Sequence, residues 1–310
     1  MTMPTRASLP RPGGATATWT AAACMLSAVL CFTLLDALAK RMVGGASPLF
    51  IAWGRYAFSL IPLLLFVPLL YGWRRLQTAQ PRVQFARGVT LIIATSSMFA
   101  GLRLLPLADA YALSYSSPVL VALLSRYAFG EWLNRRQWAA LAVGFAGVLV
   151  TIRPAFLQAG GAIVFPLLMA ASYAIYQVLT RTARRTDDAV VCVFYASLVG
   201  TLVLTAALPF VWSPIPLEYW ASFVAMGVLG MSGHWLLAVA ANRASPSLLA
   251  PLSYVQLAYA ALLDLALFGL LPDRWTIAGS AIIILGGLLL WYPALRMQLS
   301  RVAEAPRSDK

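Results

Sequence analysis

Long apolar runs separated by short polar breaks follow one another along most of the chain. A helix needs about 20 apolar residues to cross the roughly 30 Å hydrocarbon core of a bilayer, where every backbone group must be hydrogen-bonded internally. The pattern therefore predicts ten transmembrane helices, and Pro118 predicts a bend in the fourth. Their approximate bounds are 18–40, 48–72, 84–104, 107–129, 136–153, 160–181, 189–211, 219–242, 247–271 and 275–295.

Only the two ends of the chain are polar enough to be loose segments. Residues 1–17 and 297–310 are predicted to be cytoplasmic tails. The first apolar run is too long for a signal peptide, whose apolar region spans about 7–15 residues, so we interpret it as a retained helix.

The composition agrees with a membrane protein and excludes an ordinary soluble enzyme. Apolar residues make up 61% of the chain and charged residues 11%, against roughly 45–50% and 25% in soluble domains. The net charge of +13 would fit a nucleic-acid binder, but it has another source. If the N-terminus is cytoplasmic, 17 of the 23 Lys and Arg residues lie in inner segments and five in outer ones. This bias predicts both termini inside and no nucleic-acid partner.

Two alignments within the chain predict an internal repeat. Residues 112–149 match residues 251–288 at a shift of 139, with L-S-Y and F-G in register. A shift of 141 relates Phe32, Asp36 and Lys40 to Tyr173, Gln177 and Arg181. The predicted fold is thus an all-α membrane protein with two five-helix repeats, 18–153 and 160–295. Because five is odd, the second repeat enters from the opposite side, and the two are inverted, as in many secondary transporters.

Several segments carry a resemblance to a known family. They are P-L-A-D-A-Y-A-L at 106–113, S-S-P-V-L-V-A-L-L at 116–124, F-G-E at 129–131 and G-F-A-G-V-L-V-T-I-R-P at 144–154. With the ten spans, they resemble the EamA family of the drug/metabolite transporter superfamily. The resemblance implies transport of small metabolites and a central cavity lined by spans 1, 3, 4, 6, 8 and 9. The chain departs from symmetry where Leu270 stands opposite Glu131 and Asp264 opposite Ser125.

The predicted function is secondary active transport of a small polar or zwitterionic metabolite, such as an amino acid, with export favoured over import. The predicted location is the inner membrane of a bacterium, in keeping with an Arg-, Ala- and Gly-rich composition. An intramembrane enzyme and a non-transporting receptor are the alternatives. No paired nucleophile and base, metal motif or phosphate-binding loop appears in the sequence, so we expect no enzyme activity, cofactor or metal. The expected partners are the substrate, the bilayer and protons, with the chain as a monomer or homodimer.

Asp36, Arg55 and Asp264 are candidate functional residues, because charge inside a predicted span is costly and usually functional. Asp36 and Arg55 are predicted to pair in the outer vestibule, and Asp264 is predicted to be a proton or cation site. In the alternative arrangement, Asp36 pairs with Lys40 one turn away and Arg55 reaches toward the interface.

Polar and aromatic residues at matched positions of the two repeats complete the predicted cavity. Alternatively, the hydroxyls and amides among them bond to helical carbonyls. The alternative for His234, the only histidine, is a packing role. Asp36, Asp264 and His234 are the candidates for proton coupling. With Asp36 and Arg55, the predicted cavity residues are Phe32, Ser114, Tyr115, Ser117, Tyr173, Gln177, His234, Ser253, Tyr254 and Gln256.

Overall fold

The computed structural model describes residues 15–130, 134–212, 214–244, 249 and 252–303, and all regular secondary structure within these ranges is helical. Residues 1–14 and 304–310 of the predicted tails, and Glu131, lie outside the described residues. The α-helices are α1 (Ala15–Met42), α2 (Pro48–Tyr71), α3 (Pro81–Leu102), α4 (Leu107–Ser114), α5 (Ser117–Phe129), α6 (Arg135–Ala159), α7 (Val164–Ala183), α8 (Ala189–Val211), α9 (Leu217–Arg243), α10 (Val255–Phe268) and α11 (Arg274–Ala303). Short 3-10 helices follow α2 (Trp73–Leu76) and precede α7 (Gly160–Ile163).

Helices occupy all ten predicted runs. Seven segments in the described part of the chain are long and apolar enough to cross a membrane, and the apolar stretches Val255–Phe268 and Arg274–Leu289 are shorter. Large apolar side chains such as Leu69, Phe210 and Leu217 point outward, as expected of a surface that faces lipid. The seven segments are Trp19–Met42, Pro48–Tyr71, Pro81–Leu102, Leu107–Phe129, Gly160–Ala183, Ala189–Val211 and Tyr219–Ala241.

The fourth apolar run is interrupted, which sharpens the predicted bend. α4 ends at Ser114 and α5 begins at Ser117, with Tyr115 and Ser116 in a turn between them. Pro118 lies in the first turn of α5, where its missing N–H is tolerated, whereas further inside a helix it would remove a backbone hydrogen bond. The proline therefore ends one half-helix and begins the next.

The second half has a break at the matching place. Residues 252 and 253 are helical, Tyr254 is in a turn, and α10 begins at Val255. Tyr254 is the counterpart of Tyr115 at the shift of 139. Broken helices are tolerated within a membrane only where protein or an internal cavity satisfies the freed backbone groups.

The contacts between helices keep the same pattern when each helix is replaced by its counterpart in the other half. α1 packs on α9, and their counterparts α7 and α3 pack on each other. The contact between α2 and α9 is matched by that between α8 and α3, and the α1–α10 contact by the α7–α5 contact. α2 packs on its own counterpart α8, and α6 on α11. The two halves therefore resemble each other both in sequence and in the contacts that their helices make.

The main apolar core is formed chiefly by α1, α2, α3 and α4, with buried residues of α8, α9 and α10 packed into it. An aromatic cluster at one end of α2 forms part of it, with Phe50 stacked on Trp53 and Phe223 meeting both rings edge-on. This packing holds α2 against α9 and so orients the polar residues that α2 carries into the interior.

Glycines bring α6 and α11 into backbone contact. A Cβ atom at Gly147 would lie 2.6 Å from the Gly279 carbonyl oxygen and 2.8 Å from the Ile283 nitrogen. Small residues at such contacts are typical of membrane helices, whose association depends on close packing. The glycine-rich faces of these two helices are thus used within the chain.

We expect Gly147→Ala to lower the thermal stability of the detergent-solubilised protein strongly, because backbone atoms cannot move aside for the added methyl group. Gly144→Ala is the matched control, since a Cβ atom there meets nothing within 4 Å. Thermal unfolding followed by fluorescence size-exclusion chromatography measures both. Equal melting temperatures for the two variants would contradict this account of the α6–α11 contact.

Candidate functional site

Two tyrosines join the helix breaks of the two halves. The rings of Tyr115 and Tyr254 stack with centroids 5.0 Å apart and an interplanar angle of 29°. The Tyr115 hydroxyl donates to the Ser253 carbonyl oxygen at 2.6 Å. The Leu257 amide donates to the Tyr254 carbonyl oxygen instead of to that of Ser253. The Tyr115 hydroxyl therefore bonds to the Ser253 carbonyl oxygen at the helix break. These residues, predicted from the repeat, do lie together.

Asp36 meets a tyrosine that the sequence analysis did not select. Asp36 is half-buried on α1, and Tyr111 of α4 donates its hydroxyl hydrogen to Asp36 Oδ2 at 2.5 Å. Gln256 approaches the same hydroxyl from α10. Three helices from both halves thus contribute to the surroundings of one carboxylate.

The predicted ion pair between Asp36 and Arg55 is not formed in the structure. Arg55 donates to Thr95 Oγ1 at 2.9 Å and lies over the ring of Tyr56. Its guanidinium interacts with Asp36 electrostatically but without direct contact. Arg55 is held by neighbours on α2 and α3, which leaves the two opposite charges separated.

The alternative pairing of Asp36 with Lys40 is also wrong. Lys40 Nζ contacts Asp264 Oδ1 at 2.9 Å, in a pair whose side chains are only 9% and 1% exposed. Asp264 also accepts the Ala108 N–H at 2.9 Å, and Lys40 lies over the Phe268 ring at 4.8 Å. Asp264, predicted as a proton or cation site, is paired with Lys40 in the structure.

A small cavity lies next to Arg55 and contains the only histidine. The cavity has a volume of about 20 Å³, which is enough for roughly one water molecule. His234 lines it from α9 and packs edge-on against Phe32 with centroids 4.9 Å apart. Phe32, Arg55 and His234, which the sequence predicted as site residues on three separate spans, are therefore neighbours. The other lining residues are Tyr56, Ser59, Leu91, Tyr176, Val193, Ala196, Ser197, Gly230 and Met231.

Tyr173 connects this cavity to the tyrosine pair. Its ring stacks on Tyr176 with centroids 5.6 Å apart. Its hydroxyl interacts electrostatically with both Arg55 and Tyr115. Aromatic rings from α7 and from the turn after α4 therefore extend between the arginine and the helix breaks.

The remaining predicted residues take varied positions. Ser114 is buried and donates to the Ala110 carbonyl at 2.7 Å, which is the back-bonding alternative. Ser117 and Ser253 are half-buried, and Gln177 is exposed on α7. Gln177 thus does not repeat the contacts of its counterpart Asp36.

Three residues around this cluster escaped the sequence reasoning: Tyr111, Thr95 and Tyr176. Tyr111 precedes Tyr115 by four residues, so helical spacing alone would have placed both on one face. Thr95 and Tyr176 had no such signal, because their roles depend on which helices pack together.

Arg87 is a fully buried junction between α3, α7 and α8. It is 1% exposed and donates to Gln84 Oε1 at 2.6 Å, Thr180 Oγ1 at 2.9 Å and twice to the Cys192 carbonyl oxygen. Its guanidinium also lies 5.1 Å from the centre of the Tyr176 ring. Arg87 therefore connects this end of the bundle to the cavity.

Asp187, in the turn between α7 and α8, extends this network. Gln84 donates to its Oδ2 at 2.7 Å, and Thr78 and the Ala79 N–H also donate to the carboxylate. Burial acts to raise the pKa of Asp187, but these hydrogen bonds, with one from Thr186, outweigh it and hold the pKa below its ordinary value. The Asp187 carboxylate therefore links the α2–α3 connection to the α7–α8 connection.

The described residues hold no group of three or more His, Cys, Asp or Glu side chains that could bind a metal. Instead, apolar helices pack as two equivalent halves, with matched breaks and a gathering of charged and aromatic side chains beside them. This arrangement defines a multi-pass membrane transporter.

The chain belongs to the EamA-like transporter family, whose model matches residues 19–153 and again residues 160–292. It is a transporter and not an enzyme.

Named relatives support this assignment. The chain is 27% identical over 259 residues to the S-adenosylmethionine uptake transporter of Rickettsia prowazekii, covering 81% of this chain and 85% of that protein. It is 28% identical over 264 residues to the pseudopaline exporter CntI of Pseudomonas aeruginosa, covering 84% and 91%. A solved crystal structure matches 89% of this chain and 99% of its own with a TM-score of 0.66 at 19% identity, which shows the fold.

Proposed function

We propose that the protein is a secondary transporter that binds an amino-acid-derived zwitterion between Asp36 and Arg55 and exposes it alternately to the two sides of the membrane. The observation that carries the proposal is the separation of these two charges. Asp36 and Arg55 interact electrostatically but do not contact each other. Asp36 is hydrogen-bonded to the Tyr111 hydroxyl, and Arg55 to the Thr95 hydroxyl.

The charges and rings divide naturally between the parts of an amino acid. The Asp36 carboxylate would accept hydrogen bonds from the α-ammonium group, and the Arg55 guanidinium would donate to the α-carboxylate, whose planar geometry suits it. Tyr111 would keep the Asp36 carboxylate oriented. The side chain of the substrate would then extend toward Tyr115, Tyr173 and Tyr254.

S-adenosylmethionine has the chemistry that this site would favour, and one relative is named as its uptake transporter. It carries an α-ammonium, an α-carboxylate, a sulfonium cation and an adenine ring. Aromatic faces attract sulfonium-type cations and stack on planar bases. We therefore propose it as the first substrate to test. Export is the predicted direction, although the relatives include both an uptake transporter and an exporter.

The proposed architecture is the ten-span inverted repeat. The halves 18–153 and 160–295 would rock about the fixed site, with both termini in the cytoplasm and the protein in the bacterial inner membrane. A monomer contains the whole proposed site, and a homodimer remains a prediction.

Of the three predicted proton-coupling groups, we propose Asp36. It is half-buried, and the ion pairs formed among the described residues do not include it. Asp264 has Lys40 as a permanent counter-ion in this state, and His234 packs on Phe32. Proton exchange at Asp36 would compete with binding of the substrate ammonium and so couple the two.

The test is counterflow in proteoliposomes that contain the purified protein. Vesicles loaded with unlabelled S-adenosylmethionine should accumulate the labelled compound from outside, and a panel of amino acids should compete according to their charges. A pH gradient across the vesicle membrane should change the rate if Asp36 exchanges protons. Saturable binding with no movement of any panel compound would contradict transport and favour a receptor.

A further inference from the structure

The small cavity beside Arg55 lies close to two positive charges. Arg55 lines it directly. Arg87 lies against Tyr176, another lining residue, with its guanidinium 5.1 Å from the centre of that ring. His234, which lines the cavity from α9, interacts electrostatically with both arginines. Two cations therefore act on a space that has no Asp or Glu among its described lining residues.

Neither arginine contacts a carboxylate within the described part of the chain. Arg87 donates to neutral acceptors, which are an amide oxygen, a hydroxyl oxygen and a backbone carbonyl oxygen. Arg55 interacts with Asp36 without direct contact, and the ion pairs formed among the described residues involve other side chains. A charge inside a membrane usually has a partner close by. The charge of Arg55 therefore has room for a counter-ion beside it.

Three helices also bring unused hydrogen-bond donors to this cavity. A guanidinium has five N–H groups, and Arg55 on α2 donates one hydrogen bond, to Thr95. Ser197 of α8 is only 4% exposed, and its hydroxyl has no hydrogen-bond partner among the described residues. The ring nitrogens of His234 have none there either, although the ring packs on Phe32. Buried donors without an acceptor are costly, so the cavity suits an acceptor, and an anion above all.

We propose that this cavity binds a single chloride ion, which serves as the counter-charge of Arg55 in the substrate-free protein. A volume of about 20 Å³ suits an ion of one atom and is small for a carboxylate group, which has three heavy atoms. Arg55, Ser197 and His234 would donate to the ion, and hydrogen bonds to an ionised acceptor are the stronger kind. The inference goes beyond the proposed transport, because the ion is bound without any substrate.

Thermal unfolding of the purified protein in detergent tests the site. Potassium chloride replaces potassium gluconate in steps at constant ionic strength, because gluconate is too large for the cavity. A ligand that binds only the folded state raises its stability by mass action. The melting temperature of the parent should therefore rise saturably with chloride, by a few degrees. Equal melting temperatures in the two salts would overturn the site.

Two further anions separate a chloride site from other effects. Sulfate stabilises folded proteins because it is excluded from their surface, so its effect should not saturate. Acetate carries the carboxylate group of an amino acid and should not replace chloride at equal concentration. A saturable rise with sulfate or acetate equal to that with chloride would assign the cavity to larger anions and overturn the chloride site.

Two variants test where the ion binds. Ser197→Ala removes one donor, so the half-saturating chloride concentration should rise about tenfold, with little change of the melting temperature in gluconate. Arg55→Met removes the cation, and its melting temperature should no longer depend on chloride. The parent's chloride response, retained in either variant, would place the ion elsewhere and overturn the assignment. Ser197→Ala decides alone if Arg55→Met fails to fold.

Ser96→Ala is the matched control. The Ser96 hydroxyl on α3 is buried and, like that of Ser197, has no hydrogen-bond partner among the described residues, but Ser96 does not line the cavity. Its half-saturating chloride concentration should equal that of the parent. A shift as large as in Ser197→Ala would mean that loss of any buried hydroxyl weakens the response, which would overturn the role of the cavity. Because no step needs a substrate, these results stand even if S-adenosylmethionine is not moved.

Discussion

Asp36→Asn is expected to reduce transport of an α-amino-acid substrate by at least about 100-fold while the protein still folds. Loss of one partner from a buried charge interaction typically costs about 2–5 kcal/mol of binding free energy. Asparagine keeps the size of the side chain and an oxygen that can accept the Tyr111 hydroxyl hydrogen, so the change removes chiefly the charge. Substrate binding and initial counterflow rates in proteoliposomes measure the effect.

The sharper form of this prediction pairs protein variants with altered substrates. An analogue without the α-ammonium group should bind the parent weakly, and Asp36→Asn should weaken it little further. Decarboxylated S-adenosylmethionine should behave likewise toward Arg55→Met. Each pair forms a thermodynamic cycle, because both members remove the same contact.

Two results would contradict the assignment of these roles. One is full additivity between Asp36→Asn and the loss of the ammonium group. The other is an equal loss of transport in Asp109→Asn, the matched control, whose carboxylate accepts a hydroxyl hydrogen from Thr276.

Arg87→Met is expected to cause the largest loss of stability among single substitutions in the polar interior. The guanidinium joins α3 to α7 and α8 through three hydrogen bonds of 2.6–2.9 Å and donates a fourth, of 2.6 Å, to Gln84 on its own helix. Methionine fills similar space but leaves Gln84 and Thr180 without their donor. Disruption of a buried charged network costs about 3–5 kcal/mol, which should lower the melting temperature by on the order of ten degrees.

Lysine at position 87 tests whether charge alone is sufficient. Its single ammonium group cannot span three acceptors on three helices as a planar guanidinium does, so Arg87→Lys should be nearly as unstable as Arg87→Met. Arg82→Met is the control, because Arg82 is exposed on the same helix. Thermal unfolding in detergent gives the order. If Arg82→Met is as unstable as Arg87→Met, the network has no special role.

The membrane helices were predictable because partitioning into a bilayer depends on local composition. Every predicted run contains a helix, and the only interruption recognised in advance, at Pro118, lies in the first turn of α5, just after the break that follows α4. The repeat was equally accessible, since the alignments placed Lys40 opposite Arg181 and Phe268 opposite Phe129, and in the structure Lys40 lies over Phe268 as Arg181 lies over Phe129.

The partners of the charges were not predictable in the same way. Helical spacing shows that Asp36 and Lys40 share a face of α1, and this favoured a pair between them. The rotation and tilt of α1 instead direct Lys40 to Asp264 and Asp36 to Tyr111. These partners lie 224 and 75 residues away along the chain, and no periodicity within one helix contains that information.

The sequence by itself therefore determined that this chain is an all-helical membrane protein with two related halves and polar residues at matched positions. These properties follow from the hydrophobicity of each segment and from gene duplication, both of which can be read directly from the sequence. Only the tertiary structure decided that Asp264 is neutralised by Lys40 while Asp36 and Arg55 are kept apart. Electrostatic interactions are strong in a medium of low dielectric constant and strongest between charges a few ångströms apart, so helix packing selects which charges pair.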